Sequence, residues 1–388
     1  MERVIYNLPV DWSWIPLGKV ATLLNGRAYK QAELLAEGPT PVLRVGNFFS
    51  NRSWYYSDLD LPADKYCEEG DLLYAWSASF GPKIWQGPKA IYHYHIWKIL
   101  PSEHIDKKFL FYLLEKDSED IKAQGNGVGM FHATKGGMEK MLVPLPPINE
   151  QKRIVDKLDA LLTRIDTAIE HLQESVTLAD ALVKSSLSAM LTKQEHWDKV
   201  SLSDVCQITS KLCDPREEQY LDMFHIGGAN IASFNGELIG LKTAREEKLI
   251  SGKFPFDNSM VLYSKIRPYL MKVARPSFSG ICSADIYPLT PDNQKMSRDF
   301  LFYLLLSDLF TQYAIEGSSR AGMPKVNRNH LFNFEFYLPP IDEQKSICES
   351  LDALVEKTNE VSKELTGKLS YLAGLKASIL DSAFKGEL

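Results

Sequence analysis

The side chains of this sequence that are best suited to binding chemistry lie in two basic segments of its second half. Residues 265–275 (KIRPYLMKVAR) carry four cations, residues 318–328 (SSRAGMPKVNR) carry three, and neither segment contains an acid. Arginine, lysine and asparagine hold phosphates and read the edges of guanine and adenine. The two segments therefore indicate a nucleic-acid interface, and we expect them to share one surface. The candidate contacts are Lys265, Arg267, Tyr269, Lys272, Arg275, Ser318, Ser319, Arg320, Lys325, Asn327 and Arg328.

Different roles are expected within this set because the side chains differ in geometry. Lys265 and Lys272 are candidates for phosphate contacts, since a lysine ammonium is a compact charge with little directional demand. Planar groups can bond a base edge through two hydrogen bonds at once. The base-reading candidates are therefore Arg267, Arg320, Asn327 and Arg328. The alternative for any single residue is ordinary solvated surface, and two acid-free clusters together weaken that alternative.

The first half of the chain is less basic, and its candidates depend mainly on position. Residues 77–83 (SASFGPK) occupy the place of residues 264–269 (SKIRPY) when the two halves of the chain are aligned as described below. Further polar, basic and aromatic residues of this half complete the set. The candidates are Asn47, Asn51, Arg52, Trp54, Ser77, Ser79, Lys83, Asn126, His132 and Lys135.

The common catalytic motifs are missing from the sequence. It contains no GxxxxGK[ST] phosphate loop, no GxSxG nucleophile elbow and no [ND]PP[YF] motif of amino-methyltransferases. Residues 125–129 (GNGVG) lack the strand and helix that flank a dinucleotide site. Residues 291–295 (PDNQK) lack the acid that a nuclease motif places before its lysine. We therefore expect no catalytic site and no bound cofactor in this chain.

Metal ligands are sparse as well. The five cysteines form no CxxC pair, and their odd number would leave one thiol over in an oxidising compartment. Buried reduced thiols are therefore expected, and a zinc site is not. His93 and His95 alternate on one predicted strand face and could ligate a metal. No carboxylate cluster accompanies them in the sequence, so a packed or hydrogen-bonded pair is favoured.

The sequence also shows no pattern typical of a membrane span or a signal peptide. No apolar run approaches the roughly 18–20 residues that a membrane span needs, and the start lacks the long apolar core of a signal peptide. A cytoplasmic location without a membrane partner is therefore expected.

The chain repeats itself. Residues 145–154 (LPPINEQKRI) return as residues 338–347 (LPPIDEQKSI), 193 positions later. Residues 109–114 and 300–305 share the string FLFYLL at nearly the same spacing. Since the matches keep their order, each half is a copy of one unit of about 190 residues. The copies agree at their ends and differ in their middles, as expected for one scaffold holding two different surfaces, or for an old duplication with drifted loops.

A long helix is predicted after each LPPI motif. Asn149 and Asp342 follow Pro-Pro pairs and are suitable N-caps. Beyond them, apolar residues recur at spacings of three and four for about 40 residues, which makes a coiled-coil stripe on a helix of roughly 60 Å. We expect the two helices to pair with each other as an antiparallel coiled coil. The alternative is that each helix packs on its own domain.

The blocks before the helices have the pattern of mixed α/β domains. The predicted strands are 71–75, 89–99 and 260–264, and the predicted short buried helices are 108–115 and 299–307. The predicted fold class is thus α+β, with two mixed α/β domains that alternate with two long helices. The predicted boundaries are 1–148 and 196–341 for the domains, and 149–195 and 342–388 for the helical spacers.

The net charge of −6 is unfavourable for DNA binding, which usually involves a basic domain. Much of the surplus acid lies in the helical stretches 146–196 and 339–388, which together hold 12 basic and 17 acidic residues. DNA contact would therefore depend on local basic stripes. We expect weak binding by the isolated chain and additional positive charge from a partner.

The order of these features resembles a known family. A variable block, the motif LPPIxEQKxI, a long helix and then the same features again are similar to the specificity subunits of type I restriction-modification enzymes. The resemblance covers essentially the whole chain. Residues 263–270 (YSKIRPYL) and 280–289 (GICSADIYPL) are also similar to segments of that family's recognition domains.

The resemblance implies two target-recognition domains, each of which reads one half of a split double-stranded DNA target, while paired helices set the distance between the halves. It implies two methylation subunits as partners, which would bring S-adenosylmethionine to adenines. It also implies restriction subunits that act through them with ATP and magnesium. This chain would then be non-catalytic. Two other classes stay open from the sequence: a coiled-coil assembly scaffold, and an orphan specificity protein that regulates a resident system.

Overall fold

The computed structural model describes residues 6–50, 52–77, 79–124, 134–318 and 324–388. The chain forms two compact units, one of residues 1–173 with 366–388 and the other of residues 174–365. Each unit therefore contains one α/β domain and part of each of two long helices. Among the described helices, none combines the length and the apolarity of a membrane-spanning segment.

The first unit is built on three sheets. Its strands are β1 (Ser13–Pro16), β2 (Ala21–Asn25), β3 (Thr40–Leu43), β4 (Tyr55–Ser57), β5 (Tyr66–Cys67), β6 (Leu72–Ser77), β7 (Ser79–Ile84), β8 (Ala90–Tyr92), β9 (Ile96–Pro101) and β10 (Leu142–Leu145). Four-stranded sheets have the orders β2-β9-β6-β7 and β4-β3-β8-β5, and β1 pairs with β10. The pair β3 and β8 is parallel. Its helices are α1 (Leu17–Val20), α2 (Val45–Phe49), α3 (Lys107–Gln124), α4 (Lys135–Lys140) and the first part of α5 (Ile148–Met190).

The second unit repeats this plan. Its strands are β11 (Asp198–Ser201), β12 (Cys206–Gln207), β13 (Phe224–Ile226), β14 (Lys242–Thr243), β15 (Lys253–Phe256), β16 (Val261–Ser264), β17 (Val273–Ala274), β18 (Gly280–Ser283), β19 (Ile286–Pro291) and β20 (Glu335–Leu338). Its helices are α6 (Leu202–Val205), α7 (Glu218–Leu221), α8 (Ala244–Glu247), α9 (Arg298–Leu306), α10 (Asp308–Glu316), α11 (Arg328–Phe332) and part of α12 (Ile341–Lys385).

The sheets of the two units have the same topology. The orders β12-β19-β16-β17 and β14-β13-β18-β15 match those of the first unit strand for strand, and β11 pairs with β20 as β1 does with β10. The parallel pair also recurs, as β13 with β18. The internal repeat and the α+β fold class are therefore confirmed, and the chain carries one scaffold twice.

The repeated FLFYLL string lies at the centre of each core. In the first unit, Phe109 and Leu113 on α3 are fully buried in one cluster with Leu158 on α5. In the second, Phe300 on α9 shares a cluster with Leu351 on α12, and both are fully buried. Each domain is thus attached to a long helix through a large apolar contact, the interaction that contributes most to folding.

The long helices begin one residue earlier than predicted. Asn149 and Asp342 are not N-caps, because α5 starts at Ile148 and α12 at Ile341. The backbone N–H of Gln151 donates to the carbonyl of Pro147 at 3.0 Å, and that of Gln344 donates to the carbonyl of Pro340 at 3.0 Å. The second proline of each pair therefore serves as the cap, since proline lacks only the N–H that a helix start leaves unused.

Within each unit, the parts of the two long helices run antiparallel. In the first unit the guanidinium of Arg153, near the start of α5, donates to the backbone oxygen of Leu388 at 2.7 Å. Further along, Lys376 forms an ion pair with Asp166 at 3.2 Å. In the second unit Leu187, near the end of α5, is buried in one cluster with Leu351, near the start of α12. The predicted antiparallel pairing of the helices is confirmed.

The glutamine of each LPPIxEQK motif joins the domain to its helix. Gln344 is fully buried; its amide donates to the carbonyls of Lys295 and Pro339 at 2.8 and 2.9 Å, and its oxygen accepts from the backbone N–H of Ser297 at 2.8 Å. Gln151 makes the same three kinds of bond in the first unit. The repeated motif therefore satisfies buried backbone groups at the helix start.

We expect Gln344→Ala to lower the free energy of unfolding of the second unit by about 2–3 kcal/mol, because it leaves a buried N–H and two carbonyls without partners. Urea unfolding followed by tryptophan fluorescence measures the change. The matched control is Gln219→Ala, an exposed glutamine that bonds only the side chain of Glu217 in the described structure. Equal stability of the two variants would contradict this role.

Candidate nucleic-acid interface

The structure brings the two basic segments of the second unit together. An isolated β-bridge joins Ile266 to Lys325. The backbone N–H of Arg267 donates to the carbonyl of Pro324 at 2.9 Å, and that of Val326 donates to the carbonyl of Lys265 at 2.9 Å. These bonds bring the two segments side by side, and we call their cations Lys265, Arg267, Lys325 and Arg328 the basic shelf.

Two arginines of the basic shelf have no carboxylate partner among the described residues. Arg267 and Arg328 are exposed, and neither takes part in an ion pair there. Arg267 also lies in the left-handed region at a φ of 51°, directly before Pro268. A non-glycine residue in that region costs energy and persists only where its surroundings hold it. The surroundings thus hold the backbone at Arg267, and both guanidinium groups are exposed to a ligand.

The two lysines of the basic shelf surround one acid, Asp285. Lys325 lies 3.7 Å from its carboxylate, and Lys265 lies 3.5 Å away. The Lys265 side chain is mostly buried over the ring of Tyr287, and burial lowers its pKa. The shelf therefore has one carboxylate for four cations and keeps a positive surplus.

The remaining candidates of the second unit have different environments. Lys272 donates to the carbonyl of Gly228 at 2.5 Å, while Tyr269 is 47% exposed. Ser318 is buried and bonds the carbonyl of Ile315. The side-chain oxygen of Asn327 caps α11 by accepting from the N–H of His330, which leaves its amide nitrogen for a ligand. Ser319 and Arg320 lie outside the described residues.

Arg275 has a structural environment. Its guanidinium bonds Asp299 on α9 at 2.8 Å and Asp352 on α12, and it stacks over the ring of Phe302. Burial alone would lower the pKa of Arg275, but the bonds to Asp352 and Asp299 raise it above its usual value. This arginine therefore links the domain to its helix, and it does not join the basic shelf.

In the first unit, three candidates gather around α2. The amide of Asn47 donates to the carbonyls of Arg52 and Ser53 at 2.9 and 3.2 Å and closes the loop that follows α2. Lys83 reaches the carbonyl of Phe48 at 3.1 Å. Asn47 thus shapes the loop, while the Arg52 guanidinium has no carboxylate partner within the described structure.

The other first-unit candidates are dispersed or not described. Trp54 packs against the core near Trp85, and Ser77 is buried at the end of β6. Lys135 lies on α4, 3.6 Å from Glu139. Ser79 belongs to β7, and its side chain is outside the described set. Asn51, Asn126 and His132 also lie outside the described residues.

The predicted strand 89–99 is two strands. It breaks at residues 93–95 into β8 and β9, which belong to different sheets. His93 and His95 are therefore on a turn and do not alternate on one strand, although their rings lie 4.8 Å apart. Both line a cavity of about 530 Å³ with Arg44, Arg52 and Tyr55. Arg44 is not predicted from the sequence, because no local signal marks it.

The corresponding turn of the second unit carries Asp285. In the first unit the backbone N–H of Trp76 donates to the carbonyl of His95 at 3.0 Å. At the equivalent position of the second unit, the backbone N–H of Lys265 donates to the carbonyl of Asp285 at 3.1 Å. The side chains at this position are two aromatic rings 4.9 Å apart in the first unit, Trp76 and His95, and an ion pair in the second, Lys265 and Asp285. One backbone arrangement presents different side chains in the two units.

Metal binding has no support in the described residues, where no group of three or more histidine, cysteine or acidic side chains could hold an ion. The cysteines among them are free thiols, as predicted, and all but Cys213 are buried. Burial raises the pKa of Cys206 and Cys348 to about 12, which keeps these thiols protonated.

We expect Arg328→Ala to weaken binding to the true DNA target by about 1–3 kcal/mol and to relax selectivity in the second half-site. The reason is that its guanidinium is exposed and unpaired within the described structure. A titration with matched and single-mismatch duplexes measures both effects. Arg245→Ala is the control, since Arg245 is exposed but bonded to Asp222 at 2.9 Å. Equal losses in both variants would show nonspecific charge effects only.

Comparison with known proteins shows that this chain is built from DNA specificity domains. The family model for the type I restriction modification DNA specificity domain matches residues 9–178 and again residues 194–371. The two matches cover most of the chain, which therefore belongs to the family of type I restriction-modification specificity subunits. Subunits of this family recognise DNA sequence and are non-catalytic, and the catalytic activity lies in other subunits.

Curated relatives match along nearly the whole chain. The type I restriction enzyme EcoDI specificity subunit of Escherichia coli is 29% identical, with 98% of this chain and 90% of that protein covered. The MjaVIII specificity subunit of Methanocaldococcus jannaschii is 25% identical, with 90% and 88% covered. These proteins are named as specificity subunits of type I restriction enzymes, like the family itself.

Solved structures share the fold. One similar chain comes from a structure that describes complex assembly and conformational transition of the type I R-M system. It has a TM-score of 0.71 at 19% identity, with 99% of this chain and 100% of that chain covered. The HsdS subunit from Thermoanaerobacter tengcongensis has a TM-score of 0.52 at 20% identity, and both chains are fully covered. The α+β architecture is thus that of known specificity subunits.

Proposed function

We propose that this chain reads a bipartite double-stranded DNA target, one half-site with each domain, as the specificity subunit of a type I complex. One observation carries the proposal: the same sheet topology occurs twice and presents different side chains at the same turn. Two copies of one surface would read one sequence twice, whereas two different surfaces on one scaffold suit two different half-sites.

The basic shelf supplies the contacts of the second domain. Arg267 and Arg328 are the base readers, since an unpaired guanidinium can bond a guanine edge with two hydrogen bonds. Lys325 is the phosphate contact, because a lysine bonds phosphate without strict geometry. Lys265 is largely buried and holds the turn at Asp285, so it positions the shelf.

The partners in this proposal are two methylation subunits, and restriction subunits that act through them. S-adenosylmethionine, ATP and magnesium would be bound by those subunits, and the complex would act on cellular DNA in the cytoplasm. The surplus acid of the helical stretches, 17 acidic against 12 basic residues, supports a dependence on partners. Such stretches repel DNA and leave the helices suited to protein contacts.

A binding titration of the assembled methyltransferase tests the proposal. The expected result is tight, salt-dependent binding to a duplex with both half-sites and a loss of affinity when either half-site is scrambled. A protein-assembly scaffold would show no sequence preference. Equal affinity for the target and a scrambled duplex at two salt concentrations would refute the proposal.

A further inference from the structure

The cavity beside α2 in the first unit contains cations without acids. It measures about 530 Å³ and is lined by side chains that include Arg44, Arg52, Tyr55, His93 and His95, with no carboxylate among the lining residues. Neither arginine forms an ion pair within the described structure. Most other described arginines of the chain do, as Arg27 does with Glu33 at 2.7 Å. A concavity with a few convergent polar groups is the usual form of a binding site, and two unpaired arginines suit a ligand with hydrogen-bond acceptors.

Both arginine side chains are held in place. The guanidinium of Arg44 lies over the ring of Tyr55, 5.3 Å from its centroid. The stem of Arg52 crosses Gly46, where a Cβ atom would lie 2.8 Å from its Cδ. The loop that carries Arg52 is closed by the amide of Asn47. An orienting contact of this kind reduces the entropy that a side chain loses when it binds.

His93 adds a directional donor without a charge. Burial, His95 and Arg44 lower the pKa of His93 to about 4, so its ring is neutral at physiological pH. Its Nδ1 accepts from the backbone N–H of His95 at 3.4 Å, a long bond, which places the ring proton on Nε2 as a donor. A site built for phosphate would gain from a charged imidazole, whereas a neutral donor suits a base edge.

We propose that this cavity reads guanine in the first half-site, with Arg44 and Arg52 as specificity-determining residues. The guanine major-groove edge presents two acceptors, N7 and O6, and arginine is the side chain that most often bonds both. Adenine and cytosine present an amino donor to the groove and would face the guanidinium groups unfavourably. The inference rests on the proposed function and names the base that this site selects.

The position of the cavity agrees with the second unit. His93 and His95 belong to the turn between β8 and β9, and Asp285, the acid beside the two lysines of the basic shelf, belongs to the turn between β18 and β19. Equivalent turns of the repeat thus lie beside the candidate reading surfaces of both domains. A common docking geometry of the two domains on DNA would require this equivalence.

The test uses the chain in its complex with the cognate methylation subunits. Wild type, Arg44→Ala, Arg52→Ala and Arg52→Lys are titrated with the target duplex and with duplexes in which each G·C pair of the first half-site is replaced. For wild type we expect at least one replacement to lower affinity about 10- to 100-fold. Arg44→Ala or Arg52→Ala should abolish that discrimination, and Arg52→Lys should restore only part of it, since lysine lacks the rigid planar fork of arginine.

Two controls separate the outcomes. Discrimination at the second half-site should be unchanged in every variant, which shows that the protein is folded. Arg216→Ala removes an exposed arginine that bonds Asp214 at 2.7 Å and should have no effect. A uniform loss of affinity with a shallower salt slope would show a phosphate contact and overturn the guanine assignment.

Two further results would also overturn the assignment: unchanged discrimination in both alanine variants, or a wild-type first half-site without any G·C pair. Failure of the proposed function is distinguishable from these results. In that case wild type itself would show no preference for either half-site, before any variant is compared.

Discussion

Exchange of residues 15–140 for the corresponding block of a relative is expected to replace the first half-site and to leave the second half-site and the spacer unchanged. Each unit has its own apolar clusters, and the exchanged block brings the repeated FLFYLL helix, which packs on the part of α5 that both proteins share. The block starts within β1 and ends just before β10, and these two strands pair from Ser13 with Leu145 to Pro16 with Leu142. Sequencing of methylated sites in cells that carry the hybrid measures the result.

The reciprocal exchange is the matched control. Replacement of residues 202–334 lies inside the pair of β11 and β20 and should change only the second half-site. Methylated sites with both halves altered by either exchange would contradict separate reading by the two domains.

Insertion of four residues after Ser175 is expected to change the length of the spacer while both half-sites stay the same. Four residues add about 6 Å to a helix, and this is less than the rise of two base pairs at about 3.4 Å each. The spacer should therefore change by about one or two base pairs. The insertion is made in α5 alone and together with a matching insertion after Ser362 in α12, which restores the pairing of the helices.

An insertion after Asp60, in an exposed loop of the first unit, is the control for this experiment and should leave the spacer unchanged. The role of the helices as a ruler would be refuted by an unchanged spacer with altered half-sites. Methylome sequencing again provides the readout.

The parts of the fold that repeat in sequence could be predicted from it. The two LPPI motifs marked the starts of α5 and α12 to within one residue, and the spacing of their apolar residues predicted an antiparallel pair. These features depend on local signals, namely proline pairs and helical periodicity. The helix α3, however, extends to Gln124, beyond the predicted end at Glu115. Residues 116–124 are mostly polar, so they lack the apolar periodicity from which the helix was predicted.

The candidate site was less predictable because its geometry depends on contacts between distant residues. Arg275 stands among cations in the sequence, yet its carboxylate partners lie 24 and 77 positions away. The turn at residues 93–95 contains no glycine or proline, the usual signals of a turn. The continuous aromatic pattern therefore predicted one strand where the structure has two strands in different sheets. Arg44 is a single cation between apolar residues in the sequence, and what distinguishes it is the lack of a carboxylate partner among the described residues.

The most direct test of the account is methylome sequencing of cells that express this chain with its methylation partner. The account predicts a single motif of two different defined half-sites separated by a spacer of fixed length and undefined sequence. One continuous motif, or two identical half-sites, would contradict the conclusion that the two domains of this chain read two different sequences.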